Sequence, residues 1–73
     1  MKKNRTGLSN VQNTRFGGLI AVLGKRKPYD FIWNDLVERG FVTENNDGVE
    51  LTEAGMREKD RLSTLAGLMF FKD

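Results

Sequence analysis

The chain has 73 residues without cysteine or histidine, and at this size it forms at most one domain, whose core contributes about 3–5 kcal/mol of net stability. The missing cysteine excludes disulfides and thiolate chemistry, and the missing histidine removes the commonest general base and metal ligand. The first 29 residues carry +7 and the other 44 carry −5, so the net charge of +2 conceals a division that is typical of a chain with a negatively charged partner.

The first eight residues, MKKNRTGL, are expected to form a flexible basic arm. They are polar and basic with one isolated apolar side chain, so they bury too little surface to order themselves. Residues 9–73 are predicted to form a single domain, because the sequence contains neither a repeat nor a linker long enough to divide it.

The first helix is predicted to begin at Ser9, which has the spacing of a capping box with Gln12. Gly24 is placed to end it. Gly17 and Gly18 weaken the helix by about 1 kcal/mol each relative to alanine, or else they allow a close helix contact. The 3.6-residue period predicts an apolar face of Phe16, Leu19, Ile20 and Leu23.

A second helix is predicted after the basic turn at residues 25–27. Pro28 suits a helix start because it has no N–H to leave unpaired, and Asp30 in the first turn complements the helix dipole. The helix should end at Gly40. Its predicted apolar stripe consists of Tyr29, Ile32, Trp33, Leu36 and Val37.

The sequence period then changes from 3.6 to 2, which is typical of strands. Residues 41–43 and 49–51 are predicted to pair as a β-hairpin, with residues 44–48 as its tip. Thr52 is a good N-cap for a third helix. The predicted apolar stripe of that helix consists of Leu62, Leu65, Ala66 and Met69.

Two motifs carry a resemblance to a known family: Leu36-Val-Glu-Arg-Gly-Phe-Val42 and Leu51-Thr-Glu-Ala-Gly55. Residues 16–62 resemble the second half of a winged helix-turn-helix domain, as in MarR-like and PadR-like regulators. Residues 30–42 correspond to the recognition helix running into the wing. The resemblance implies an α+β, mostly α, winged-helix-like domain of about three helices and one short β-hairpin, preceded by the basic arm.

The charges of the second helix do not suit the DNA-binding role that the resemblance implies. Recognition helices meet phosphates and base edges through Arg, Lys, Asn and Gln side chains. The family also places a helix before the motif, for which residues 1–12 are too short and too polar. A protein partner is therefore preferred to DNA. The polar residues of the second helix are Asp30, Asn34, Asp35, Glu38 and Arg39.

In size and general design the chain is also similar to small phage-encoded regulators of bacterial RNA polymerase that displace the σ factor or act in antitermination. The preferred hypothesis is a small, phage-encoded transcription regulator that binds RNA polymerase and alters initiation or termination. Basic side chains would dock on an acidic surface, and aromatic side chains outside the predicted core would anchor the contact. The candidate partner-binding residues are Lys2, Lys3, Arg5, Arg15, Lys25, Arg26, Lys27, Phe31, Phe70 and Phe71.

Two alternative functions stay open. One is a winged-helix DNA-binding repressor or accessory factor that uses the basic turn and a wing around Asn45 and Asn46. The other is a protein inhibitor or adaptor unrelated to transcription. The basic turn and arm also fit simple solvated surface, and the phenylalanines also fit a tail that folds back over the core.

No enzymatic activity, cofactor, metal or small-molecule substrate is expected. Ser9 and Ser63 have no base to activate them. Residues 43–48 are similar to the first half of a calcium loop, but Ala54 stands where the loop needs a bidentate glutamate. The longest apolar stretch, residues 19–23, is too short to span a membrane, so a cytoplasmic location without a membrane partner is expected.

Overall fold

A computed structural model describes residues 8–70 of the chain, with side chains to residue 67. This part of the chain folds as a small, mostly helical α+β domain, which confirms the predicted class of three helices and one short β-hairpin in the predicted order. No helix within it is both long and apolar enough to cross a membrane. The elements are α1 (Asn10–Leu23), α2 (Asp30–Glu38), β1 (Val42–Asn45), β2 (Gly48–Leu51) and α3 (Glu53–Phe70).

Both ends of α1 lie where the local chemistry predicts them. The backbone N–H of Gln12 donates to Ser9 Oγ at 3.1 Å, and the N–H of Ser9 donates to Gln12 Oε1 at 3.0 Å, so the capping box is confirmed. Gly24 is the C-cap and donates its N–H to the carbonyl of Ile20 at 3.0 Å. Lys25 then adopts a left-handed conformation, with φ of 66°, which turns the chain toward α2.

The end of α2 is fixed by a Schellman motif. Gly40 has a φ of 78° and donates to the carbonyl of Val37 at 2.9 Å, while Phe41 donates to the carbonyl of Leu36 at 2.9 Å. Only glycine adopts this φ without steric cost, so the predicted stop at Gly40 is confirmed. At the other end the helix has no side-chain cap, and Asp30 in the first turn faces the positive end of the dipole.

The strands of the hairpin extend further than predicted, so its tip is shorter than the predicted residues 44–48. Asn45 pairs directly with Gly48 in the antiparallel ladder, which leaves a two-residue turn of Asn46 and Asp47. The side chain of Asn45 accepts a hydrogen bond from the N–H of Asp47 at 2.9 Å, and Gly48 takes a φ of 115°. This local hydrogen bond stabilises the two-residue turn, so the strands pair up to Asn45 and Gly48.

Thr52 joins the hairpin, α2 and α3. Its Oγ1 accepts from the N–H of Gly55 at 3.1 Å and donates to the carbonyl of Gly40 at 2.6 Å. The predicted N-cap is therefore confirmed, and the same hydroxyl also holds the segment that follows α2. Gly55 completes the junction, because a Cβ there would lie 1.9 Å from the carbonyl oxygen of Phe41. The motif at residues 51–55 is thus explained by packing.

The core draws apolar side chains from every element of the described chain. It begins at Leu8, which is 2% exposed although the sequence places it in the arm. Residues 1–7 lie outside the described part, so their assignment to a flexible arm stays a prediction. The buried apolar residues are Leu8, Leu19, Val22, Trp33, Leu36, Val42, Val49, Leu62 and Ala66.

The buried face of α1 is rotated from the predicted one. Leu19 is fully buried as predicted, but Ile20 and Leu23 are exposed and Val22 takes their place in the core. The cause is that α1 packs against three elements at once, α2, α3 and β2. Gly18 brings α1 close to α2, because a Cβ there would lie 2.6 Å from Ile32 Cγ2.

The stripes of the other two helices are also narrower than predicted. In the α2 region Trp33 and Leu36 are buried, whereas Tyr29, which precedes the helix, and Val37 are exposed. In α3 the predicted stripe is confirmed at Leu62 and Ala66, which are buried, while Leu65 lies at its edge, 37% exposed. The side chain of Met69 lies outside the described residues.

Candidate functional site

The helices α1 and α2 and the turn between them border an open groove on the side of α1 that faces α2. Two stretches of this groove meet at Thr14 and Ile32. Gly17 lines its α1 wall, and a Cβ added there would meet no atom within 4 Å. The groove is therefore open to an approaching chain at Gly17, whereas the neighbouring Gly18 is closed against α2. We call this feature the α1–α2 groove.

Large apolar side chains stand exposed along the α1–α2 groove. Val11 and Phe31 line one stretch and are 65% and 69% exposed, and Tyr29 lines the other and is 76% exposed. The rings of Tyr29 and Phe31 are nearly parallel, with centroids 6.3 Å apart. Phe31 lies off the apolar stripe, as its position in the sequence indicates. Val11 was missed and Tyr29 was predicted to lie on the apolar stripe, and the glycine at 17 was the signal that this face of α1 is approachable.

The three bases of the turn have different surroundings. Arg26 is exposed and lines the α1–α2 groove, and it has no ion-pair partner among the described residues. Lys27 pairs with Glu44 of β1 at 3.5 Å. Lys25 is also unpaired within the described chain, but it lies in a different depression, which includes Met56 of α3. The turn therefore offers free positive charge in two directions.

Arg15, a predicted partner-binding residue, is largely covered by the fold and paired with α3. Its Nη1 lies 3.0 Å from Oε2 of Glu58, and the two side chains are only 14% and 11% exposed. Its guanidinium also lies 6.0 Å from the centroid of the Phe41 ring. Hydrogen bonds from Arg61 and, to a lesser degree, Arg15 lower the pKa of Glu58 against the opposing effect of burial. Arg15 thus ties α1 to α3.

The exposed face of α2 is acidic. Nε of Arg39 lies 3.1 Å from each carboxylate oxygen of Asp35, so the base at the end of the helix is paired with an acid of the same helix. Asp30 and Glu38 are exposed and have no ion-pair partner among the described residues.

The hairpin adds no free base to this surface. The Asn45 amide donates to the carboxylate of Glu50 and its oxygen accepts from the N–H of Asp47, so this side chain is engaged within the tip. Asn46 is exposed. Of the two predicted wing contacts, only Asn46 presents a side chain without a hydrogen-bond partner in the described chain.

Several predicted site residues lie at the chain ends. Lys2, Lys3 and Arg5 lie outside the described residues, as does Phe71. Phe70 is the last residue of α3, and its side chain lies outside the described part. Their roles stay predictions. The structure places Phe31 and Arg15 on one stretch of the α1–α2 groove and Arg26 on the other, but the guanidinium of Arg15 is paired with Glu58.

The described residues contain no group of three or more acidic side chains placed to hold a metal ion. No protein-family model matches the chain, and no curated protein or solved structure matches it at a significant level.

Proposed function

We propose that the chain is a small regulator of transcription that binds a protein, bacterial RNA polymerase, rather than reading DNA through α2. The observation that carries this proposal is the ion pair within α2. Because Arg39 is paired with Asp35, the helix that would enter a DNA groove has no base without an ion-pair partner, and it presents the carboxylates of Asp30 and Glu38. Phosphates would be brought against uncompensated negative charge.

The surface around α2 has the composition of a protein interface. Aromatic side chains and arginine are enriched at the centre of such interfaces, and here Tyr29 and Phe31 stand exposed on the same groove as the unpaired Arg26. The bases of the turn and the arm would steer this surface toward an acidic polymerase surface. Such a regulator would be phage-encoded and act in the bacterial cytoplasm, altering initiation or termination.

The proposal is tested with immobilised protein and purified bacterial RNA polymerase, as core enzyme and as holoenzyme. We expect retention of polymerase and a change in transcription from a linear template in vitro. Replacing both unpaired bases, Lys25→Ala and Arg26→Ala, should weaken retention at least about tenfold, which corresponds to about 1.4 kcal/mol.

Arg57→Glu is the matched control, since it changes the formal charge by the same amount at an exposed position of α3. It should leave polymerase retention within about twofold, less than half a kcal/mol. Absence of polymerase binding at micromolar concentration, or equal weakening by Arg57→Glu, would refute the proposal.

The second candidate function is DNA binding, favoured by the helix-turn-helix arrangement and by Lys25 and Arg26, which have no ion-pair partner in the described chain. It is tested by selecting duplexes from a random-sequence library at about 50 mM salt, where phosphate contacts are strongest. Sequence-selective binding by the protein alone, lost in the Lys25→Ala and Arg26→Ala double variant, would favour this function over polymerase binding.

A further inference from the structure

The charges that line the α1–α2 groove cancel. Arg26 and Asp30, which line the stretch near the turn, are exposed, and neither has an ion-pair partner in the described chain. The groove is therefore neutral once these pairs are counted, and it favours neither a strongly acidic nor a strongly basic occupant. The other charged residues of the lining form ion pairs within the chain: Arg15 with Glu58, Lys27 with Glu44, and Arg39 with Asp35.

The unpaired groups of the groove are complementary to one another. The carboxylate of Asp30 attracts the guanidinium of Arg26, and so do the ring faces of Tyr29 and Phe31, which are 76% and 69% exposed. Within one chain the Arg26 side chain makes neither an ion pair nor a cation–π contact with any described residue. A second copy of the same surface supplies the missing partner for each group, because a two-fold contact forms every pair twice.

The α1 wall of the groove has the shape that a second α1 helix requires. Thr14, Gly17 and Ala21 lie at positions i, i+3 and i+7, so these small residues share one face of the helix, and all three line the groove. A Cβ at Gly17 would meet no atom within 4 Å. Since the distance between packed helices depends on the side chains at the contact, two α1 helices can approach closely at this point.

The exposed apolar area of the groove suits a weak dimer. An aromatic side chain buries about 150–250 Å², so the exposed parts of Tyr29 and Phe31 offer about 220–360 Å² per copy. Val11, which is 65% exposed, and the small face of α1 add to this area. Two copies would bury about 1,000 Å² in total, which is at the low end for a specific interface. We therefore expect a dissociation constant of about 10–100 µM.

We propose that the α1–α2 groove binds a second copy of the chain in a two-fold symmetric dimer. Arg26 of each copy pairs with Asp30 of the other copy, and the two α1 helices cross antiparallel at Gly17. This inference goes beyond the proposed function and does not rest on it. Because the dimer covers Tyr29, Phe31 and Arg26, which the proposed function assigns to the polymerase contact, a chain in the dimer cannot bind polymerase through them.

The test is analytical ultracentrifugation of the full chain at concentrations from about 1 to 500 µM, a range that brackets the expected dissociation constant. The mass should rise from the 8.3 kDa of one chain toward twice that value. Arg26→Glu and Asp30→Lys each place like charges across the contact, so each variant alone should dimerise at least about tenfold more weakly. Circular dichroism reports the folding of every variant independently of its association.

Mixing these two variants distinguishes a pair between copies from a pair within one chain. In an equal mixture, the new glutamate of one variant faces the new lysine of the other, while the native Arg26 and Asp30 also face each other. Association should therefore return to within about threefold of the wild type. A pair within one chain would not respond to mixing.

A second pair of variants locates the interface. Phe31→Ser removes an exposed ring from the groove and should weaken dimerisation at least about tenfold. Leu23→Ser is the matched control, since Leu23 is 48% exposed but lines a different depression, with Lys25 and Met56. It should leave dimerisation within about twofold.

Four results would overturn the inference. They are a mass of one chain at about 500 µM, growth beyond two chains, no recovery in the mixture of Arg26→Glu and Asp30→Lys, or equal weakening by Leu23→Ser and Phe31→Ser. If the chain is monomeric but retains polymerase, and Phe31→Ser abolishes that retention, the groove binds polymerase and only the dimer fails. If the dimer forms but polymerase is not retained, only the proposed function fails.

Discussion

Replacing Thr52 tests how the hairpin, α2 and α3 are joined. Thr52→Val keeps the shape of the side chain but removes the hydroxyl that accepts from Gly55 N–H and donates to Gly40 carbonyl. Loss of an N-cap costs about 1 kcal/mol, and loss of the second hydrogen bond adds about 0.5 kcal/mol, the low end of the range, because water can reach the exposed carbonyl. We expect a loss of about 1.5 kcal/mol, a large share of the stability of a domain this small.

The measurement is thermal and urea unfolding followed by circular dichroism. A loss of 1.5 kcal/mol should lower Tm by about 6–12 °C in a domain of this length. Thr52→Ser is the control, since serine keeps the hydroxyl and should lose less than about 0.5 kcal/mol. A loss of less than about 0.5 kcal/mol in Thr52→Val, or an equal loss in Thr52→Ser, would show that the Thr52 hydroxyl does not stabilise the junction.

Four further substitutions can be checked by the same unfolding measurements. Gly17→Ala should raise the free energy of unfolding by about 0.5–1 kcal/mol, because an added Cβ meets no atom within 4 Å. Gly18→Ala should lower the free energy of unfolding by about 1 kcal/mol, because its Cβ would crowd α2. A change in the same direction in both variants would contradict this packing. Gly55→Ala should lower it by at least about 2 kcal/mol, since the Cβ would overlap the Phe41 carbonyl oxygen; a neutral result would show that the junction yields. Glu58 has a pKa lowered mainly by its hydrogen bond with an arginine of α3, so its contribution is complete above its unfolded pKa and is lost as pH falls through the lower folded value. The stability gap between wild type and Glu58→Gln should therefore shrink as pH falls below about 4, and a constant gap would refute the assignment.

The helix boundaries were predictable because local chemistry determines them. The Ser9 capping box, the left-handed Gly40 and the Thr52 cap each depend on residues within one or two turns. The buried face of α1 was not predictable in the same way. Val22 is buried instead of Leu23 because β2 and α3, which follow much later in the sequence, determine which side of α1 is covered.

The candidate site was predictable only in part. The exposure of Phe31 followed from its place off the apolar stripe. The partial burial of Arg15 did not follow from the sequence, because its partner Glu58 is 43 residues away and nothing local connects them. The pair of Asp35 and Arg39 was present in the sequence as an i, i+4 spacing, which on a helix brings opposite charges together.

The surroundings of Trp33 provide a built-in optical reporter. It is the one tryptophan of the chain, and Nζ of Lys27 lies 5.1 Å from the centroid of its ring. Lys27 also pairs with Glu44, so the turn, the hairpin and the indole are in electrostatic contact. Because a cation over the ring perturbs the indole electrons, a partner that draws Lys27 away will change tryptophan emission. Docking at the turn can thus be followed by fluorescence in the native chain, without an attached dye.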